Sequence, residues 1–179
     1  MNSRQVMLLS ALIALPISAA IAGDRYAQLI NDFYTRQPPL CLGETDWPVA
    51  ASAAAAPWES GRLHSLVDAG LAVKRGARFV LTPMGERNWK RNGDLCYGRM
   101  AVRRIERVKP LSATQTAVWF TYSLPDREKW ASTPSLRHAF SELDNVLSGE
   151  KQSLWLATVM VSAGKASVLD YPVPDQLEY

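Results

Sequence analysis

Side chains able to do chemistry are scarce in this chain of 179 residues. There are two histidines, His64 and His138, and two cysteines, Cys41 and Cys96. A thiolate or imidazole metal site draws on closely spaced ligand pairs, and the chain has neither a CxxC pair nor a second imidazole near either histidine. No GxSxG or HExxH stands in the sequence, so neither a nucleophile elbow nor a zinc-hydrolase motif is legible. The carboxylate pairs Asp126 with Glu128 and Glu142 with Asp144 have the spacing of helix starts and solvated faces. The expectation is a protein with no metal, no cofactor and no catalytic residues. The alternative is a small enzyme built from scattered Ser, Arg and Tyr, which no motif would reveal.

Two other residue sets could make contacts. Arg99, Arg103, Arg107 and Lys109 fall at two- or four-residue steps along an alternating stretch, which places four like charges on one side of a strand, a candidate face for an anionic partner. The competing reading is a solvated sheet face with Trp119 stacked on a guanidinium, and Arg104 and Glu106 dilute the pattern. Of the 6 tryptophans, Trp89 and Trp155 fit core positions. Trp47, Trp58, Trp119 and Trp130 are candidate interface anchors, with the sealing of loops over a core as the other use.

The first residues place Arg4 before an apolar run from Val6 to Ala22 that ends in Ala20-Ile21-Ala22, the pattern of a secretory leader cut after Ala22. No lipoprotein cysteine stands at that point, so the expectation is a periplasmic or secreted chain with no stable membrane span after cleavage. A retained leader acting as an anchor is the alternative. The formal charge of +3 includes Arg4, so the processed chain is nearly neutral and lacks the basic excess typical of nucleic-acid binders. Export brings oxidising conditions, in which Cys41 and Cys96 are expected to form a disulfide worth roughly 4 kcal/mol on a chain-entropy basis.

The elements that would position these residues follow from periodicity. Tyr26, Leu29, Ile30, Phe33 and Tyr34 make an amphipathic helix over Asp24 to Arg36 that Pro38-Pro39 stops. Residues 40–57 read as a surface segment pinned by Cys41 and Trp47. Leu63, Leu66 and Val67 mark a second helix that Gly70 closes. Val73–Arg75 and Phe79–Leu81 flank a turn at Gly76-Ala77, and Thr82-Pro83 caps a third helix. From Leu95 the pattern alternates through two strands, with Met100, Val102 and Val108 on one side of the first and Val118, Phe120 and Tyr122 along the second. A helix from Thr133 to about Leu147, with the stripe Leu136, Phe140, Leu143 and Leu147, is expected to lie on the sheet. Gln152–Ser162 and Lys165–Tyr171 close a last hairpin.

The run LHSLVDAGLAVKRGARFVLTPMGERNW, Leu63 to Trp89, resembles the last helix and wing of winged-helix domains, in which an AGL helix end leads into a hairpin and then LTPxG. Together with LCYG at Leu95–Gly98 and the FTYSL strand, it is also similar to small exported proteobacterial proteins of no assigned activity. The expected fold is α+β. Residues 1–22 are the leader, 23–92 a winged-helix-like unit, 93–171 an antiparallel ββαββ sheet with one packed helix, and 172–179 a flexible tail. The winged-helix resemblance implies a helix able to enter a DNA groove. The run from Glu59 to Ala69 offers Arg62 and His64 against Glu59 and Asp68, and export separates the chain from DNA. The functional expectation is therefore a non-enzymatic exported protein that binds a protein partner or an envelope component, with nucleic-acid binding the alternative if the leader is misread.

Overall fold

Helix α1 (Ile17–Arg36) opens the computed structural model, which describes residues 17–52 and 56–175, and for residues 17–22 the backbone alone. Most of the expected leader therefore lies outside the described residues. Next come short strands β1 (Leu40–Cys41) and β2 (Val49–Ala50), helix α2 (Pro57–Asp68), strands β3 (Ala72–Arg75) and β4 (Arg78–Leu81), and helix α3 (Pro83–Asn92). Strands β5 (Cys96–Gly98), β6 (Ala101–Pro110) and β7 (Gln115–Ser123) lead through a 3-10 turn to helices α4 (Pro134–Ala139) and α5 (Ser141–Gly149). The chain closes with strands β8 (Leu154–Ser162), β9 (Lys165–Val168) and β10 (Val173–Pro174). The protein is thus mixed helix and sheet, α+β in class.

The main antiparallel sheet runs β10-β8-β7-β6, with β9 also on β8. Helix α1 lies on one face of it. Ile30 and Tyr34 are buried against Met100, Val118, Phe120, Tyr122, Ala157 and Val159, with Tyr26, Leu29 and Phe33 packed alongside, which is the stripe the helical spacing predicts. The Asn31 side chain fixes the register by accepting the Val102 N–H at 2.7 Å. The helix covering the sheet is therefore α1, not the one expected after Thr133. That segment breaks at Phe140, whose φ of −122° and ψ of 92° are extended, so only the end of α5 touches the sheet, where Val146 and Leu147 pack and the Tyr122 hydroxyl donates to the Val146 carbonyl at 2.6 Å. Leu136, Phe140 and Leu143 join Leu63, Leu66, Leu71, Phe79, Leu95, Tyr97 and Trp130 in a second core. The first helix thus serves the sheet core, while the last two serve mainly the second core, with Val146 and Leu147 of α5 touching both.

In a separate three-stranded sheet, β3 and β4 pair around Gly76, with β2 on the outer edge of β4. Gly70 has the positive φ of 73° that closes α2. The Thr82 hydroxyl donates to the Gly70 carbonyl at 2.7 Å and accepts the Gly85 N–H at 3.2 Å, tying both helix ends to the hairpin. A Cβ at Gly85 would stand 2.1 Å from the Leu71 carbonyl oxygen, so the glycine of LTPxG is there for the close approach of α3 to the start of β3.

Strand β6 departs from simple alternation. Val102, Ile105 and Val108 pair with Tyr122, Phe120 and Val118, a three-residue step on β6 against two on β7. Register shifts at Arg103 and Glu106 supply the extra residues. The stretch from Pro172, expected to hang free, instead pairs β10 with Leu156 and Trp155 of β8, and Tyr171 packs its ring edge-on to Phe33 and Tyr34. Residues 176–179 lie outside the described residues.

Candidate functional site

Cys41 and Cys96 form a disulfide between paired strands β1 and β5, with Cα atoms 3.8 Å apart. Non-covalent bonds clasp the same junction. The Asp94 carboxylate accepts the N–H groups of Gly43 at 3.0 Å, Glu44 at 2.9 Å and Leu95 at 2.6 Å. Asn88, buried on α3, accepts the Cys96 N–H at 2.8 Å and donates to the Cys96 carbonyl at 2.9 Å, completing the strand edge with a side chain.

Held by this clasp, Glu44 faces Arg62 of α2 with 3.4 Å between carboxylate and guanidinium. Arg62 also donates to the Leu42 carbonyl at 3.1 Å and lies over the Phe140 ring at 4.4 Å. Burial pushes the Glu44 carboxyl above the usual range; the Arg62 guanidinium pulls it down, and Asp94 pushes it up again. One turn before Arg62, the Trp58 ring is 62 % exposed. Two clefts meet at Trp58 and Arg62. One, of about 340 Å³, is walled by Leu42 and by Phe140 and Glu142 of the last helices; the other, of about 510 Å³, is walled by Glu44, Val49 and Glu59. An exposed indole beside carboxylates suits a ligand with an apolar or cationic group, since the ring offers both stacking area and a negative face.

The other tryptophans are spent differently. Trp130 is 6 % exposed in the second core, and its candidacy as an interface anchor is corrected by that burial. Trp119 is covered by the Arg107 guanidinium, 3.7 Å from its ring centre. Trp47 packs on the second core and donates its indole N–H to the Glu44 carbonyl at 3.1 Å.

The basic stripe does not persist as four free cations on one side. Arg99 precedes β6 and donates to the Tyr34 and Gln37 carbonyls, capping the C-terminus of α1. Because of the bulges, it is Arg104 that pairs opposite Thr121, next to Arg107 opposite Trp119 and Lys109 opposite Ala117. Arg104 binds Glu106 at 2.8 Å, and this contact holds the Glu106 carboxyl below its usual range. Arg103 reaches the Lys151 carbonyl at 3.5 Å. Exposed Lys109 remains at the far end.

Sequence reading missed the roles of Asp94, Asn88 and Glu44. The turn Asn92-Gly93 before Asp94 was a usable signal, because a carboxylate after a tight turn is placed to bind nearby N–H groups. Among the described residues no group of three His, Cys, Asp or Glu is placed to hold a metal ion. No family model matches the chain, and no curated protein or solved structure is similar to it.

Proposed function

We propose that this is an exported, non-enzymatic protein of the periplasm that binds a protein partner at the Trp58 cleft. The observation that carries the reading is Trp58, a large aromatic left in solvent where two clefts meet, while Trp119 and Trp130 are buried. Exposed aromatics over a rigid floor are the usual anchors of interfaces. The disulfide supports an oxidising compartment. Cleavage after Ala22 would leave Asp24 in the first turn of α1, where a negative charge favours the helix. The unit α2-β3-β4-α3 is read as winged-helix-like and turned to protein contact. Arg62 is committed to Glu44, Leu42 and Phe140, so the exposed face of α2 presents Glu59 and Asp68, the wrong sign for a phosphate backbone.

A photo-crosslinker at Glu59 in the native envelope tests this reading. One defined adduct is expected at that position, absent with the crosslinker at Lys90 and lost on Trp58→Ala, with stability changed by no more than about 0.5 kcal/mol. Equal adducts at both positions would remove the basis for the cleft. Mass spectrometry of the processed chain is expected to give Gly23 as its first residue, and a full-length chain in the cytosol would end the export reading. A second reading, catalysis, draws on the raised pKa of Glu44 in a cleft. Turnover of an envelope substrate that Glu44→Gln abolishes would establish it in place of the first.

A further inference from the structure

The β6–β7 and β8–β9 hairpins end side by side, joined where the Val161 N–H donates to the Thr114 carbonyl at 2.8 Å. Solvent meets apolar side chains at this pole: Leu111 is 52 % exposed, Val161 46 % and Val108 39 %. The two hairpin ends carry cations and no acid, since 107–116 hold Arg107 and Lys109 and 159–168 hold Lys165. Helix α1 reaches the same place. Its C-terminal half is held at the start of β6 through Asn31 and the Arg99 cap, whereas Arg25, Leu29 and the one acid, Asp32, line a cleft with Thr116, Val161 and Lys165. Beyond Arg25 its backbone continues to Ile17, about 12 Å further at 1.5 Å per residue, through the end of the apolar run that starts at Val6. A leader kept beyond Ile17 would bring its membrane to this pole.

We propose that the pole is a docking surface for an anionic phospholipid bilayer. Leu111 and Val161 enter the headgroup layer while Lys109, Lys165 and Arg107 face the phosphates. Apolar tips ringed by cations bind such interfaces because apolar burial and attraction to anionic lipid act together. The exposed apolar tips select lipid over an acidic protein groove, since the cations alone would suit either, whereas Leu111 and Val161 need an apolar layer to enter. The proposal rests on the export reading, in that phospholipid is the anionic surface an exported chain meets, but it does not involve the Trp58 cleft.

The test is an environment-sensitive fluorophore at Ala113, carried on the otherwise complete protein as cells process it and titrated with vesicles. A blue shift is expected with phosphatidylglycerol mixed into phosphatidylcholine and not with phosphatidylcholine alone. Each surface cation contributes about fivefold in affinity, so Lys109→Glu with Lys165→Glu is expected to weaken binding by roughly 25-fold or more. Lys74→Glu with Arg75→Glu, an equal charge change on β3, serves as the control and is expected to have little effect. No shift with anionic vesicles, an equal shift with neutral ones, or equal weakening by the β3 reversal would each overturn the proposal. Because the vesicles are tested in vitro, failure here leaves the export reading standing.

Discussion

Replacing both Cys41 and Cys96 by Ser is expected to lower stability by about 2–4 kcal/mol without changing secondary structure, and the geometry says why both halves of that statement hold. The bridge spans 55 residues of sequence and closes a loop that contains β2, α2, β3, β4 and α3. For a loop of that length, the lost freedom of the unfolded chain is worth about 4 kcal/mol at 25 °C, the upper end of the range because native strain and residual structure subtract from it. The folded junction does not depend on the bridge. The Leu42 N–H reaches the Leu95 carbonyl at 3.0 Å, and Asp94 holds Gly43 and Glu44 across the same seam. Urea unfolding with and without reductant reads the difference. Wild type is expected to lose its midpoint advantage on reduction, while the double variant is indifferent and shows the same far-ultraviolet circular dichroism. Two titratable thiols in the native exported protein, or a reductant effect of equal size on the variant, would refute the reasoning.

Three further outcomes follow from single side chains. Gly85→Ala is expected to cost about 1–3 kcal/mol, because its Cβ would press on the Leu71 carbonyl oxygen and α3 must move to accept it; an unchanged thermal midpoint would show the approach to be looser. Asp94→Ala removes one carboxylate from three N–H groups and is expected to cost roughly 2–3 kcal/mol in urea unfolding, about as much in the oxidised as in the reduced protein, whereas a loss confined to the reduced form would mean that the disulfide alone sets the junction. Glu44 has a folded pKa raised above its unfolded value by burial, so its stabilising contribution is complete below the unfolded pKa and is lost as pH rises through the folded one. Glu44→Gln is therefore expected to flatten the fall in stability from pH 4 to pH 7, and an unchanged slope would sink the assignment.

The parts of the fold that sequence showed well are those specified by neighbours in the chain. Gly70, Thr82-Pro83 and the Gly76 turn act within a few residues, and each stands where local spacing places it. The helix over Tyr26–Tyr34 was equally legible because an apolar stripe needs only its own period. What a stripe cannot name is the partner it buries against. Leu136, Phe140 and Leu143 fit a sheet as well as they fit α2, and the break at Phe140 turns them to α2. Alternation along β6 misled for a related reason: a bulge is a relation between two strands, and the three-residue step from Val102 to Ile105 to Val108 has meaning only opposite Tyr122, Phe120 and Val118.

The candidate site was harder to read because its chemistry is made by placement. Arg62 looked like one charge on a helix of no net charge, and Glu44 like a polar residue in a loop. Their significance comes from a junction distant from both in the chain, where Asp94 orders the Gly43-Glu44 backbone, β1 meets β5, and the helix break delivers Phe140 beneath the guanidinium. The helix break at Phe140 thereby decides the site. Without that break Arg62 would lack the Phe140 ring that holds it beside Glu44. Trp58 would then stand above an open helix face with one wall of its cleft missing. The same break that sequence could not show is what places an exposed aromatic over a formed floor, and a variant that heals it, Phe140→Ala with its higher helix propensity, is expected to loosen the cleft before it unfolds the sheet.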